Sequence, residues 1–255
     1  MMWDSPIEVF VVFLILMLLA VQIGVFFRKR RPAPIEAEQR DDLNLILGAS
    51  LTLLGLIIGF TFSMAVSRYD QRKNLEEEEA NAIGTEYLRL ELLPGDNTPN
   101  LKEQLRKYLE ERILFYTLNG EDLALVNQRT DKLQADLWAG VRGPAMAQPT
   151  PMAALVVSGM NDVLNSSGYT QAAWWNRIPA AAWIMMGAIA VFCNVLLGYG
   201  ARGQSKMAGV LFTTLPLIVS ISFFLIADID SPRRGVIRVV PRNLLSLADS
   251  LATTK

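Results

Sequence analysis

The sequence predicts an all-α membrane protein with four transmembrane helices in two hairpins and a helical polar domain between the second and third spans. Four long stretches without charged residues favour this fold, and strand-like alternation is confined to residues 236–240. Crossing a hydrocarbon core of about 30 Å takes about 20 apolar residues. In that core backbone polar groups must pair within their own segment, so each stretch is expected to be helical.

The charge-free stretches define the expected organisation of the chain. They cover residues 9–27, 43–66, 178–199 and 207–227. We therefore expect a first transmembrane hairpin over 1–66, an extramembrane domain over 67–177, a second hairpin over 178–227 and a C-terminal tail over 228–255.

The first stretch has the wrong charge order for a cleaved signal peptide. No Lys or Arg precedes it, whereas the basic cluster Arg28–Arg31 follows it. A signal peptide carries its positive charges before the apolar run and a small-residue cleavage site after it. We expect the stretch to remain as a membrane helix.

The second stretch continues into the polar domain without a helix breaker. Residues 67–80 follow it directly, and the first stop signal is Pro94-Gly95. One helix from about Leu43 to Leu93 is predicted, and it would be roughly 75 Å long at 1.5 Å per residue.

Shorter helices should complete the polar domain. Thr98-Pro99 begins one that ends at Gly120, and the next ends near Gly140–Gly143. Pro149 and Pro151 open a further helix that extends through Leu164. Trp174-Trp175 precede the third span, where amphipathic rings favour the headgroup level.

Composition excludes several classes of function. The chain has 0 histidines, 1 cysteine, and 24 basic against 25 acidic residues. Imidazole-based catalysis, most zinc and haem sites, a disulfide framework and a nucleic-acid partner are therefore not expected. An aspartyl intramembrane protease needs carboxylates on facing helices, but Asp228 and Asp230 lie two residues apart on one segment. We expect no enzyme, no cofactor and no metal.

Positive charges do not decide the orientation. The first loop carries Arg28–Arg31 and Arg40, and the last loop carries Arg202 and Lys206, which makes seven. Eight basic residues lie near the span ends on the other side: Arg68, Arg72, Lys73, Arg177, Arg233, Arg234, Arg238 and Arg242. The positive-inside rule therefore leaves the orientation open.

The end of the second span contains our pore-lining or gate candidates. These candidates are Phe60, Phe62, Ser63 and Arg68. In a symmetric oligomer, aromatic rings could form an apolar constriction that gates by dewetting, and a basic residue could attract anions at the mouth. Phe60 and Ser63 are three residues apart and share a helix face, which is the face we favour.

A second interpretation of this segment is lateral packing. Gly55 and Gly59 form a small-xxx-small pair that lets another helix approach closely. From the residues alone, packing is the favoured interpretation.

Four consecutive glutamates, Glu76–Glu79, continue the helix beyond the span. Adjacent residues point in different directions around a helix, so the four do not make one site. We favour a solvated face. The alternatives are that Glu78 and Glu79 cap or pair within the polar domain, or that they bind a cation such as Ca²⁺.

The end of the fourth span carries candidates for a boundary ion-pair network: Asp228, Asp230, Arg233 and Arg234. Charges at a membrane boundary rarely go unpaired, and the expected pair is Asp230 with Arg68 or Arg233. The alternative is a collar of snorkelling side chains, and the two interpretations are equally weighted.

Two segments resemble the bacterial bestrophin-like domain family. One runs over 62–73, 79–89 and 92–94, and the other over 228–235 and 237–239. The resemblance covers essentially the whole chain. More distantly, it extends to bestrophins, which are pentameric ion channels whose second helix lines the pore. At the end of that helix the channels have a characteristic polar segment. The residues of this sequence that are similar in kind to it are Ser63, Ser67, Arg68, Tyr69, Asp70 and Arg72. Met64 and Val66 are less polar than their counterparts.

The resemblance implies a homo-oligomer, with a pentamer as the expected number, in the bacterial inner membrane and with a cytoplasmic polar domain. Small ions and the lipid bilayer are then the expected partners. Two functions compete. One is a bestrophin-like ion channel, and the other is a non-conducting membrane sensor or scaffold whose helical domain binds a ligand or a partner protein.

Overall fold

A computed structural model describes residues 5–31, 35–200 and 206–253, and of residues 206–209 and 211 only the backbone. The all-α prediction is confirmed: these residues form eight α-helices and no strand. Arg202, which entered the charge comparison, lies outside the described residues. The helices are α1 Pro6–Arg30, α2 Ala37–Arg89, α3 Thr98–Thr117, α4 Gly120–Ala147, α5 Pro151–Trp175, α6 Ala180–Tyr199, α7 Lys206–Asp230 and α8 Arg242–Thr253.

Among the described residues, four segments are long and apolar enough to cross a membrane. They fall in α1, in the first part of α2, in the stretch that contains α6, and in α7. The expected multi-pass membrane architecture is therefore confirmed, with four candidate spans at the predicted places.

The chain divides into two compact units. The first comprises Met1–Arg68 and Arg177–Arg238, and the second comprises Tyr69–Asn176 and Val239–Lys255. The first division falls within α2, next to the boundary expected after residue 66. The expected tail over 228–255 is not one segment, because its first part belongs to the first unit and α8 to the second.

In the first unit, α1 packs against α6 and α7. A side chain on Gly24 would overlap the carbonyl oxygen of Val195, and one on Gly198 would overlap that of Val21. Glycine at these two positions is therefore what brings the backbones of α1 and α6 together. Phe13 completes the packing with an edge-on contact to Phe223, at 4.8 Å between ring centroids.

The second unit has its own core, to which α3, α4, α5, α8 and the end of α2 contribute. Helix α3 begins at the expected Thr98 and buries Leu101, Leu105 and Leu109 on one face. Helix α4 does not end near Gly140–Gly143 as expected but continues to Ala147. A side chain on Gly140 would overlap Leu101, so this glycine permits close packing rather than ending the helix.

Helix α5 also exceeds its prediction, because it continues past Leu164 to Trp175. As a result Trp174 is buried in the core of the second unit, with its ring centroid 5.2 Å from Phe115 and 5.4 Å from Tyr116. Trp174 is therefore enclosed by protein side chains, and its depth in the bilayer stays a prediction. Trp175 is 73% exposed.

Helix α8 was not predicted. It is amphipathic, with Leu244 fully buried and Leu247 packed over Gly84 of α2. The segment 236–240 just before it is irregular and not a strand.

Candidate functional site

One face of α2 is buried in the first unit. Leu54, Thr61 and Ala65 are at most 3% exposed. Their spacing of seven and four residues places them on one side of the helix. In the apolar 18-residue segment of α2, only 11% of the segment is buried. The corresponding segments of the other three spans are 33–44% buried. Most of the apolar surface of this span therefore has no packing partner within the described chain.

The exposed side of α2 contains three of the candidate residues. Phe60 is 66% exposed, Phe62 is 38% exposed, and Ser63 is also exposed. At about 100° per residue, Ser63 lies roughly 160° around the helix from the buried Thr61, and Phe60 about 100° from it. Phe60 and Ser63 thus share one flank of the exposed side, and Phe62 lies on the other.

Gly55 and Gly59 lie on the same open side of α2. A side chain added at either position would meet no atom within 4 Å. The packing interpretation of these glycines is therefore not realised within the described part of one chain.

The structure brings Arg68 and Asp230 together at the polar end of the spans. Arg68 Nη1 lies 3.9 Å from Asp230 Oδ1, and Arg177 Nε donates a hydrogen bond of 3.0 Å to Asp230 Oδ2. The backbone N–H of Ile178 also donates to this carboxylate, which is 4% exposed. Two guanidinium groups against one carboxylate give this cluster of three side chains a net positive charge.

Asp228 has a different role from that of Asp230. Its carboxylate accepts hydrogen bonds from the backbone N–H groups of Val236 (2.7 Å) and Ile237 (2.9 Å). A side chain on Gly235 would overlap the Asp228 backbone, so glycine is required for this turn to close. The carboxylate holds the segment that follows α7, a role that the sequence hypothesis did not include.

Arg177 is the participant that the sequence analysis did not single out. Arg177 directly precedes the third charge-free stretch, and Asp230 follows the fourth. A basic residue at the start of one span and an acid at the end of the next were therefore the available signal for this pair. Of the other candidates, Arg233 is half-buried and Arg234 is exposed.

The second unit contains a buried polar network around two of the four consecutive glutamates. The interpretation of a solvated face is wrong for Glu76 and Glu79, which are at most 1% exposed, whereas Glu77 and Glu78 are exposed. The two buried glutamates are three positions apart, so both side chains point to the same face of α2.

Glu76 accepts hydrogen bonds from the first turn of α8. The backbone N–H groups of Asn243 and Leu244 donate at 2.9 and 3.0 Å, and Asn243 Nδ2 donates at 2.6 Å. The carboxylate thus satisfies the unpaired donors of a helix N-terminus and interacts favourably with its dipole.

Glu79 forms an ion pair with the buried Arg112 and accepts hydrogen bonds from Tyr116 (3.3 Å) and Thr170 (3.2 Å). Burial, followed by the Glu79 charge, raises the pKa of Tyr116. Burial alone would lower the pKa of Arg112, but Glu79 together with Tyr108 and Tyr116 outweighs it, and the net shift of this pKa is upward. Within the described residues, no group of three or more acidic or cysteine side chains could hold a metal ion.

Comparisons with known proteins agree with this architecture. A family model described as a bestrophin-like domain matches residues 14–244. A bacterial bestrophin homolog from Klebsiella pneumoniae, solved by Zn-SAD phasing, is 14% identical and has a TM-score of 0.64, with 94% of this chain and 98% of that chain covered. A single-residue variant of that homolog is also 14% identical, with a TM-score of 0.63 and coverage of 96% and 98%.

No curated protein matches the sequence. At 14% identity the solved structures show the fold alone, whereas the family model spans most of the chain. The chain therefore belongs to the bestrophin-like domain family.

Proposed function

We propose that this protein assembles as a homo-oligomer in the bacterial inner membrane and conducts ions along the exposed side of α2. Two observations support the proposal. Only 11% of the apolar segment of α2 is buried, and the space around Gly55 and Gly59 is open. Four helices from one chain enclose no aqueous path, so conduction needs several copies around an axis. The bestrophin resemblance favours five.

The chemistry of the exposed side of α2 suits a pore with an apolar constriction. Ser63 supplies a hydroxyl, Phe60 a large exposed ring, and the glycines leave room for water. Apolar rings of this kind gate by dewetting. The net positive cluster of Arg68, Arg177 and Asp230 at the polar end of α2 favours anions over cations.

Ion flux into liposomes containing the purified protein tests the proposal. Phe60→Ala should raise conductance several-fold, because a shorter side chain relieves dewetting. Ser63→Asp should shift the reversal potential towards cations, because it adds a negative charge to the proposed lumen. The control is Phe192→Ala, which removes a ring that is 50% exposed on α6 and should leave conductance unchanged.

A charge reversal at Arg68 is a poor selectivity test. Arg68 lies beside Asp230, so Arg68→Glu would place two acids together and disturb folding. If the wild type conducts and neither Phe60→Ala nor Ser63→Asp changes conductance or selectivity, α2 does not line the pore.

The orientation of the polar domain is part of the proposal. Reporter fusions at Glu36 and Gly120 lie in the first loop and in the polar domain, so they should report opposite sides. The bestrophin resemblance predicts that the Gly120 fusion is cytoplasmic. A periplasmic signal at Gly120 would contradict the proposed topology.

The non-conducting alternative has an observation of its own. An open cavity of about 740 Å³ lies between the last turns of α4 and the first half of α5, and apolar residues line it together with Trp138, Arg142 and Asn161. Its size and lining are typical of small-molecule sites. If the wild-type oligomer conducts no ion in any salt, a sensor or scaffold that uses the helical domain becomes the better interpretation.

A further inference from the structure

Glu86 is buried in the second unit without a hydrogen-bond partner. It is 0% exposed, and neither carboxylate oxygen has a partner among the described residues. Glu76 and Glu79 on the same helix are equally buried, but several donors satisfy each of them. An unsatisfied buried carboxylate is costly, so it needs an explanation beyond packing.

Helix α5 lies directly on the Glu86 side chain. A side chain on Gly159 would overlap the Glu86 carboxylate and approach Arg89 Nη1 within 2.6 Å. Glycine at position 159 is therefore what lets α5 lie against this part of α2. A change in the charge of Glu86 therefore affects the contact between α2 and α5.

Two charged groups influence Glu86, one from each helix. Arg89 lies one turn further along α2, and Asp162 lies on α5. Glu91, in the turn after α2, is bound by Lys102 Nζ at 2.5 Å. Burial raises the pKa of Glu86 to about 8, Arg89 opposes the rise, and Asp162 adds to it. Glu86 is therefore mainly neutral at pH 7.

We propose that Glu86 is the proton-binding site of a switch that controls the packing of α5 on α2. The protonated side chain allows the helices to stay in contact. Loss of the proton leaves a buried negative charge without a hydrogen-bond donor among the described residues, and separation of α5 from Gly159 admits water to it. Alkaline pH should therefore loosen α5. The proposal does not depend on whether the protein conducts.

The sign and size of the effect follow from proton linkage. The contact stabilises the folded unit fully below the ordinary pKa of 4.5 and loses this contribution as the pH rises towards about 8. Across that window the open state binds fewer protons than the closed state, so the opening equilibrium rises by up to about tenfold per pH unit. Above the upper limit the effect levels off.

Hydrogen exchange of the full-length protein in detergent tests the switch. Amide exchange in residues 153–165 is compared between wild type and Glu86→Gln at each pH from 6 to 9, so that base catalysis cancels in the ratio. The ratio of the wild-type exchange rate to the variant exchange rate should rise with pH and then level off. Glu77→Gln, a change at an exposed residue of the same helix, should keep the wild-type profile. A ratio that is flat across this range overturns the proposal.

Infrared spectroscopy of the wild type keeps the test valid if Glu86→Gln fails to fold. A buried protonated carboxylic acid should give a carbonyl band at pH 6 that disappears between pH 7 and 9. Absence of that band at pH 6 would mean that Arg89 keeps Glu86 ionised as an ordinary ion pair, which also overturns the proposal.

Discussion

Arg112 forms an ion pair with Glu79 in which the side chains are 3% and 0% exposed. Both charged groups are shielded from water, so the charge of each is compensated by that of the other. Removal of one partner from such a pair typically costs about 3–5 kcal/mol, whereas replacement of both by apolar groups of similar size can be neutral.

We therefore expect Arg112→Met to lower the free energy of unfolding by about 3–5 kcal/mol. The double variant Glu79→Met/Arg112→Met should recover much of that loss. Denaturant unfolding of the detergent-purified protein measures both changes. Glu103→Gln, which alters an exposed pair with Lys107, should cost less than about 1 kcal/mol. Equal losses in the single and double variants would show that the pair itself supplies the stability.

The attachment of α8 should depend on Glu76. Its carboxylate accepts hydrogen bonds from the Asn243 and Leu244 amides, so Glu76→Ala deprives these two amides of this acceptor. Loss of a cap of this kind costs about 1–2 kcal/mol. Limited proteolysis should then cleave near residues 242–253 faster than in the wild type. Glu78→Ala removes an exposed neighbour and should leave the cleavage rate unchanged.

Much of the fold could be predicted because the bilayer requires long apolar segments, and such segments can be recognised from the sequence alone. The length of α2 followed from the absence of a breaker before Pro94. Tertiary contacts decided the remainder. Gly140 resembles a helix end in sequence but is a contact point for Leu101, and α8 has a short apolar face whose partner, Gly84, lies far away in the chain.

The candidate site shows the same limit. The sequence suggested that Asp230 pairs with Arg68 or Arg233, and the structure places Arg68 at 3.9 Å. Arg177, 53 residues away, makes the shorter contact and was not among the candidates, although its place at the start of one span and that of Asp230 at the end of the next were a usable signal. Glu76 and Glu79 likewise looked solvated, since their partners come from distant helices.

Asp230 should be a central stabilising residue of the first unit. Asp230→Ala deprives Arg177 and the Ile178 amide of their acceptor, and we expect a loss of about 3–5 kcal/mol in unfolding free energy. Arg177→Met should cost less, because Arg68 and the Ile178 amide still face the Asp230 carboxylate that remains. Arg234→Met, at an exposed position nearby, should change stability by less than about 0.5 kcal/mol. Additive effects of Asp230→Ala and Arg177→Met in a double-mutant cycle would argue against the pair.

Gly24 of α1 and Gly59 of α2 should respond differently to substitution by alanine. Gly24→Ala introduces a methyl group against the Val195 carbonyl, so it should destabilise the first unit. Gly59→Ala adds a methyl group where nothing lies within 4 Å, so the fold of each chain should be unaffected. Thermal unfolding in detergent should separate the two variants clearly.

The effect of Gly59→Ala on assembly and flux then distinguishes a lumen from a contact between copies. If Gly59 faces water in an oligomeric pore, as we expect, native mass spectrometry should show the wild-type oligomer and liposome flux should fall, because the added methyl group narrows and dries the lumen. If Gly59 instead lies where two α2 helices touch, the methyl group should weaken the oligomer itself. A smaller oligomer in Gly59→Ala, with each chain still folded, would assign this side of α2 to packing and move the conduction path elsewhere.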